Sequence, residues 1–126
     1  MRLLLDSHVA LWLLSGSPEI GPVTHDAIVA SEFVAVSVVT PWELGIKKAL
    51  GKLNYPTGLV KALQSSGLKM LPIDVHHAER APRLPPHHRD PFDRMLIAQA
   101  IAESLTFVTA DSQIGLYKVT TLDART

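Results

Sequence analysis

The sequence predicts an α/β fold, a three-layer α/β/α sandwich with a central parallel sheet that takes up residues 1–126 as one domain. Short apolar runs alternate along the chain with segments of helical periodicity, as in folds that cover a parallel sheet on both faces. The first run, Leu3–Leu5, is apolar without interruption, which is typical of a strand buried on both faces. Hydrophobic residues make up 47% of the chain and charged residues 19%, a balance that favours a globular core.

The N-terminal part of the chain is predicted to alternate between strands and helices. Leu3–Leu5 leads to a helix over Val9–Leu14, which the sequence Ser15-Gly16-Ser17-Pro18 ends. A helix over Pro22–Ala30 precedes a second strand at Phe33–Val39, a run rich in β-branched residues.

The next helix begins with a capping sequence. Thr40 is the expected N-cap, Pro41 the first helical residue and Glu43 the capping partner three residues after the cap. This helix should run to Leu50, because Gly51 follows it, and a weaker helix is expected over Thr57–Ser65.

The C-terminal part of the chain supplies three more strands. They are predicted at Leu68–Ile73, Leu105–Thr109 and Lys118–Thr121, the last at a sheet edge. Asp74 should cap a short helix through Ala81, and the prolines of Pro82–His88 indicate a loop.

That loop leads into the most informative segment, which starts with two carboxylates and then becomes apolar. Asp90 suits the N-cap of a helix and Pro91 its first position. Asp93 then lies in the first turn, while the apolar residues at helical spacing should face the core: Leu96, Ile97, Ala100 and Ile101.

The composition excludes several classes of protein. Twelve basic residues balance twelve acidic ones, which argues against a strongly basic nucleic-acid binder; contact with nucleic acid would need local positive charge or bound cations. The absence of cysteine excludes disulfides, thiolate metal sites and cysteine nucleophiles, and agrees with a cytoplasmic location. The run Val9–Leu14 is too short to span a membrane, so we expect the N-terminus to be part of the folded protein.

Four acids are predicted at one edge of the sheet. Asp6 and Asp111 follow strands, while Glu43 and Asp93 lie in the first turns of helices. Because the carboxyl ends of parallel strands share an edge with the starts of the following helices, these side chains can converge on one cleft. Clustered carboxylates repel one another unless cations intervene, and an oxygen-rich, thiol-free set suits Mg²⁺ or Mn²⁺.

Each acid also has a structural interpretation, which the sequence leaves open. Asp90 and Asp93 would stabilise the start of their helix, Glu43 would complete a capping box, and Asp111 would cap a turn. Asp6 is the hardest to explain in this way, because an acid at a buried strand end costs stability unless something pairs with it.

Several neighbouring residues are candidates for contact with a substrate phosphate. Arg89 and Arg94 flank the acids, but ion pairing with those same acids is an equal alternative. Ser7 and Thr40 could hydrogen-bond to phosphate or hold a water, although capping is favoured for Thr40. The basic residues Lys47, Lys48 and Lys52 are expected to be a solvated face rather than a guide for RNA.

Two further groups are expected to be structural. The pairs His76-His77 and His87-His88 lack the helical spacing typical of zinc sites, so they are interpreted as solvated loop residues. Trp12 and Trp42 fall within helices and are interpreted as core or interface aromatics.

Four segments of the chain, in this order, resemble one family. They are Leu-Leu-Leu-Asp6-Ser-His, Val-Val-Thr-Pro-Trp-Glu43-Leu-Gly-Ile-Lys, His-Arg-Asp90-Pro-Phe-Asp93-Arg-Met-Leu-Ile-Ala-Gln-Ala and Thr-Ala-Asp111. Together they are similar to PIN-domain ribonucleases, most of all to the VapC-type toxins of bacterial toxin–antitoxin pairs. The Asp-Pro-Phe-Asp-Arg segment is the most specific of the four.

The resemblance implies a PIN-like α/β/α sandwich and a Mg²⁺- or Mn²⁺-dependent endoribonuclease, with one or two ions. It also implies a homodimer that a small cognate antitoxin holds inactive. Carried over by motif, the catalytic and metal-binding acids are Asp6, Glu43, Asp93 and Asp111, with Asp90 as an auxiliary ligand or a cap only. Asp6 and Asp93 would hold the main ion, and no side chain would need to be the nucleophile.

Two other functions remain as alternatives. A PIN-like fold without catalytic activity would bind protein or RNA, although the presence of all four acids argues against it. A phospho-acceptor receiver domain also places an aspartate at a strand end. That domain needs a second acid beside Asp6 and a lysine after the last strand, and both are missing.

Overall fold

The computed structural model describes all residues from Met1 to Thr126 and contains the predicted parallel sheet between helical layers. The strands are β1 (Arg2–Leu5), β2 (Phe33–Ser37), β3 (Lys69–Leu71), β4 (Thr106–Thr109) and β5 (Thr121–Asp123). Their order in the sheet is β3-β2-β1-β4-β5, and every neighbouring pair is parallel. The predicted three-layer α/β/α fold is therefore confirmed.

Six α-helices cover the sheet. They are α1 (Ser7–Ser15), α2 (Pro22–Ala30), α3 (Val39–Ala49), α4 (Leu59–Ser65), α5 (Val75–Arg80) and α6 (Pro91–Ala102). Short 3₁₀ turns occupy Ala81–Arg83 and Ser112–Leu116. None of the helices combines the length and the apolar character that a membrane crossing needs.

The core lies on both faces of the sheet, because β1 sends alternate side chains to opposite sides. Leu3 and Leu5 join a cluster with residues of α1 and α4, whereas Leu4 joins a second cluster with residues of α6. All three leucines are completely buried, as expected for a central parallel strand. β1 therefore holds Asp6, at its carboxyl end, in a fixed position.

The start of α3 differs from the prediction. The helix begins at Val39, with Val38 at the N-cap, so Thr40 is not the cap and Glu43 is not part of a capping box. The reason is that the hydroxyl of Ser37 accepts the hydrogen bond from the backbone N–H of Val39, at 3.0 Å. β2 consequently ends at Ser37 instead of Val39.

Other boundaries moved by two or three residues. The helix α1 starts two residues early because Asp6 caps it, and α4 starts two residues late, after Gly58, which has a positive φ of 84°. β5 lies at Thr121–Asp123 rather than Lys118–Thr121, since its ladder with β4 begins only where the N–H of Phe107 donates to the carbonyl of Thr120. β5 is an edge strand, as predicted.

Candidate metal centre

The four predicted acids line one cleft of about 300 Å³ at the carboxyl edge of the sheet. Asp6 directly follows β1, and Asp111 lies two residues after β4. Glu43 comes from α3, and Asp93 from the first turn of α6. The structure thus brings together side chains that are far apart in the sequence.

Asp6 has two structural partners in addition to its place in the cleft. One carboxylate oxygen accepts a hydrogen bond from the backbone N–H of Ser7 at 2.7 Å, and the other accepts one from the hydroxyl of Thr109 at 2.7 Å. Burial nevertheless raises the pKa of Asp6 above its ordinary value, against the lowering effect of these hydrogen bonds. The sheet therefore holds this carboxylate in an environment that disfavours its charge.

Glu43 is almost completely buried, with 3% of its surface exposed. Its Oε1 accepts a hydrogen bond from the hydroxyl of Ser7, and its Oε2 accepts one from the ammonium of Lys47 at 2.8 Å. Burial lowers the pKa of Lys47, but the bond to Glu43 and the nearby acids outweigh this and raise it. The hydrogen bonds from Ser7 and Lys47 therefore determine the orientation of the Glu43 side chain.

Asp93 is the least stabilised acid of the cleft. Its side chain is 18% exposed, and neither carboxylate oxygen accepts a hydrogen bond from the protein. Burial raises its pKa from 3.8 to about 7; the negative charges of Asp6, Asp90 and Glu43 add to this rise, while His88 opposes it. A cation beside Asp93 would relieve both causes.

Asp90 and Asp111 each have a capping role. Oδ1 of Asp90 accepts from the backbone N–H groups of Phe92 and Asp93, which confirms the predicted N-cap of α6. Oδ1 of Asp111 accepts from the N–H of Gln113 at the start of a 3₁₀ turn. Both residues also line the cleft, so capping does not remove them from the set of candidate ligands.

Two histidines lie in places that the sequence did not indicate. His88 is 13% exposed, with its Nε2 between the carboxylates of Asp111 and Asp93, at 2.9 and 3.1 Å. His77, on α5, is 1% exposed. The prediction that these are solvated loop residues is therefore wrong for both, whereas His76 and His87 are exposed. In the sequence, only the position of His88 two residues before Asp90 indicated that this histidine would lie near the cleft.

The predicted phosphate contacts of Ser7, Thr40 and Arg94 do not fit the structure. Ser7 and Thr40 are completely buried, and their hydroxyls are hydrogen-bonded to each other at 2.9 Å beside Glu43. The guanidinium of Arg94 donates instead to backbone carbonyls of the preceding loop, among them those of Ala81, Leu84, Pro85 and His88. These residues orient Glu43 and anchor the loop.

Three other cationic or titratable side chains line the cleft: His8, Lys47 and Arg125. Arg125 pairs with Glu19 at 3.0 Å and lies over the ring of Trp12, 5.4 Å from its centroid. Nothing in the local sequence indicated Arg125, because the C-terminal segment reaches the cleft only through the sheet. Trp12 packs against the core. Trp42 is 61% exposed, and its ring makes an edge-to-face contact with the ring of Phe92.

The donor set fits a hard divalent cation. Carboxylate oxygens are the ligands that Mg²⁺ and Mn²⁺ prefer, and the cleft offers them without a thiolate. The raised pKa values of Asp6 and Asp93 indicate an excess of buried negative charge, which such an ion would neutralise.

Comparison with known proteins identifies the same architecture elsewhere. The family model described as "PIN domain" matches residues 3–120, which confirms the resemblance drawn from the motifs and leaves no support for a receiver domain. No protein with a curated description matches the sequence.

Solved structures share the fold at low sequence identity. VapBC2 from Rickettsia felis bound to a promoter DNA fragment matches with a TM-score of 0.71 and 15% identity over 97% of this chain and 98% of the other. A toxin–antitoxin complex from Klebsiella pneumoniae has a TM-score of 0.70 and 19% identity, with 98% of each chain covered. VapBC-5 from Mycobacterium tuberculosis has a TM-score of 0.61 and 21% identity, with 100% of each chain covered.

Proposed function

The chain belongs to the PIN domain family, and on this premise we propose that it is a Mg²⁺- or Mn²⁺-dependent endoribonuclease, the toxin of a toxin–antitoxin pair that acts in the cytoplasm. The observation that carries the proposal is the acidic cleft, in which the partly buried Asp93 has a pKa raised to about 7 and no hydrogen bond to its carboxylate. A bound cation would stabilise the negative charges of this site, which the protein alone stabilises poorly.

Asp6 and Asp93 would hold the main ion, and Glu43 and Asp111 would complete the site or hold a second ion. Asp90 is a helix cap whose second oxygen remains for an auxiliary role. When bound, the metal would activate a water and stabilise the negative charge that develops on the phosphodiester. Ser7 and Lys47 orient Glu43 for this task through their hydrogen bonds.

The cleft also contains groups suited to receive RNA. Lys47 and Arg125 provide local positive charge on a chain whose net charge is zero, and His8 lies beside them in the cleft. Ser7 and Thr40 are completely buried, and the guanidinium of Arg94 is bonded to several backbone carbonyls. The side chains of Lys47 and Arg125 are 35% and 56% exposed although each has an acidic partner, so we assign the phosphate contacts to them instead.

The partners of the proposed toxin are a cognate antitoxin and a second copy of the chain. Support for the antitoxin comes from structural neighbours, among them one described as a toxin–antitoxin complex and one described as a member of the VapBC family of toxin–antitoxin systems. Support for the homodimer comes from an apolar stripe along α3, made of residues four apart that are 37–64% exposed: Val38, Trp42, Ile46 and Leu50. Ile46→Glu should therefore yield a monomer in light scattering, whereas Val29→Glu, at an exposed position of α2, should not. Equal masses of the two variants would refute this interface.

The nuclease proposal is tested with purified protein and single-stranded RNA. We expect cleavage with Mg²⁺ or Mn²⁺ and none with EDTA. Asp93→Asn should abolish cleavage with the circular dichroism spectrum unchanged, because it removes a proposed ligand. The matched control is Asp26→Asn, at an exposed position of α2 outside the cleft. Full activity of Asp93→Asn would refute the site, and metal binding without cleavage by the native protein would favour a PIN-like binding module.

A further inference from the structure

His88 lies where the loop before α6 reaches the acidic cleft, and its ring contacts three parts of the site. Nδ1 accepts a hydrogen bond from the backbone N–H of Asp90, at 3.2 Å. Nε2 is hydrogen-bonded to Oδ2 of Asp111 at 2.9 Å and lies 3.1 Å from Oδ2 of Asp93. The ring therefore bridges the turn after β4 and the first turn of α6.

These contacts determine which ring nitrogen carries the proton. A backbone N–H can only donate, so Nδ1 must offer its lone pair, and the proton of the neutral ring is then on Nε2. Nε2–H donates to Asp111, with the carboxylate of Asp93 beside the same N–H. A histidine that binds a metal normally donates its other ring N–H to an acceptor, so His88, whose Nδ1 faces a donor, does not fit the role of a ligand.

We propose that His88 is a positioning residue: its Nε2–H is hydrogen-bonded to Asp111 and lies in electrostatic contact with Asp93, and so sets the separation of these two proposed metal ligands. The inference rests on the proposed function, in which both acids are metal ligands. The partial positive charge of the N–H lies between two negative groups and offsets part of their repulsion, so they stay close before the cation arrives.

The backbone around His88 is anchored independently of its ring. The hydroxyl of Tyr117 accepts from the N–H of His88 at 2.8 Å and donates to the carbonyl of Pro85 at 2.7 Å. Arg94 donates to the carbonyl of His88 at 3.0 Å. A side-chain substitution at this position therefore removes the bridge and the bond from the N–H of Asp90, while these contacts of the backbone hold the loop in place.

The test compares the Mn²⁺ affinity of variants by calorimetric titration. His88→Ala should weaken binding about 10-fold, the lower end of the range for residues that orient metal ligands. His88→Gln should recover most of the affinity, because its amide N–H reaches the region of Nε2. The matched control, His76→Ala, removes an exposed histidine outside the cleft and should leave the affinity unchanged.

Two spectroscopic measurements separate positioning from direct ligation. Nitrogen NMR of the metal-free protein should find the neutral His88 ring protonated on Nε2, and pulsed EPR of the Mn²⁺ complex should find no directly bound ¹⁴N. Equal Mn²⁺ affinity of the native protein and His88→Ala, a proton on Nδ1, or strong ¹⁴N coupling overturns the positioning role but leaves the nuclease proposal intact. Absence of Mn²⁺ binding by the native protein overturns the nuclease proposal, and the positioning role with it.

Discussion

The two ends of α6 carry similar clusters of one histidine and two carboxylates, in very different states. At the carboxyl end, Nδ1 of His77 accepts from the backbone N–H of Asp74 at 3.0 Å, and Nε2 contacts the carboxylate of Glu103 at 3.1 Å. At the amino end, His88 has the same arrangement with Asp90 and Asp111. The ends are roughly 18 Å apart, because α6 has 12 residues and each adds about 1.5 Å.

The difference lies in how well the negative charges are stabilised. The side chains of Glu103 and Asp74 are 39% and 54% exposed, so water stabilises both, and the buried ring of His77 has a partner at each nitrogen. At the amino end, Asp93 is only 18% exposed and lies among other acids, and no hydrogen bond supports its carboxylate. A histidine–carboxylate cluster is thus a structural tie when its charges are balanced or solvated, and a candidate metal centre when buried negative charge is in excess.

The largest effect should come from removing a ligand at the amino end. Asp6→Asn should reduce Mn²⁺ affinity by more than about 100-fold, beyond the range for residues that only orient ligands. Glu103→Gln is the matched change at the other end of α6 and should leave the affinity as it is. Calorimetric titration of both variants measures these affinities. A loss of Mn²⁺ binding in Glu103→Gln would place the metal at the carboxyl end of α6 and contradict the proposed site.

The next effect concerns stability rather than metal binding. His77→Ala should destabilise the fold by about 2–4 kcal/mol, because it empties a buried site and removes both hydrogen bonds of the ring. Urea unfolding in EDTA measures this free energy, and exposed His76→Ala should change it by less than about 0.5 kcal/mol. If His77→Ala were as stable as the native protein, the carboxyl-end cluster would not be a structural tie.

The smallest effect is a pH dependence that belongs to one end only. The pKa of Asp93 is raised from 3.8 to about 7, so the folded protein binds more protons than the unfolded chain between these values. Its contribution to stability is therefore greatest near pH 4 and is lost as the pH rises through about 7. In EDTA at pH 8, Asp93→Asn should melt about 5 °C above the native protein, and the difference should shrink at pH 5.

Calorimetry of the same pair with Mn²⁺ at pH 8 should reverse that order, because only the native protein can use the cation at this position. Because Glu103→Gln keeps Asp93, the difference between its melting temperature and that of the native protein should not change with pH and should not reverse with Mn²⁺. If the melting temperatures of the native protein and of Asp93→Asn in EDTA rose by the same amount from pH 5 to pH 8, Asp93 would not be the source of the pH dependence.

The amino-acid sequence predicts several features of the amino end of α6 and of the acidic cleft. The Asp90 cap and the apolar face of α6 follow from residues within one or two helical turns, and both were predicted correctly. The emergence of Asp6 and Asp111 at one sheet edge follows from their positions after apolar strands. These features are local, so composition and spacing are sufficient to find them.

The predictions that were wrong concern features that local sequence does not determine. Thr40 has the right chemistry for an N-cap, but its partner is the hydroxyl of Ser7, 33 residues away. Arg94 has the right charge for a phosphate, but the loop that it anchors folds back onto it. The short strand β5 was misplaced because three residues carry too little pattern to locate an edge strand.

The amino-acid sequence by itself determined the alternation of strands and helices, the parallel sheet and the set of acids at its carboxyl edge, because these depend on apolar runs and on capping chemistry within a few residues. Only the tertiary structure decided which histidine enters the cleft, which acid is left without a hydrogen bond and which cations face the acids. Those properties depend on burial and on contacts between distant segments, such as the hydrogen bond from Thr109 to Asp6, which are 103 residues apart. The free energy of a charged group is set by its surroundings, and only the folded chain brings those surroundings together.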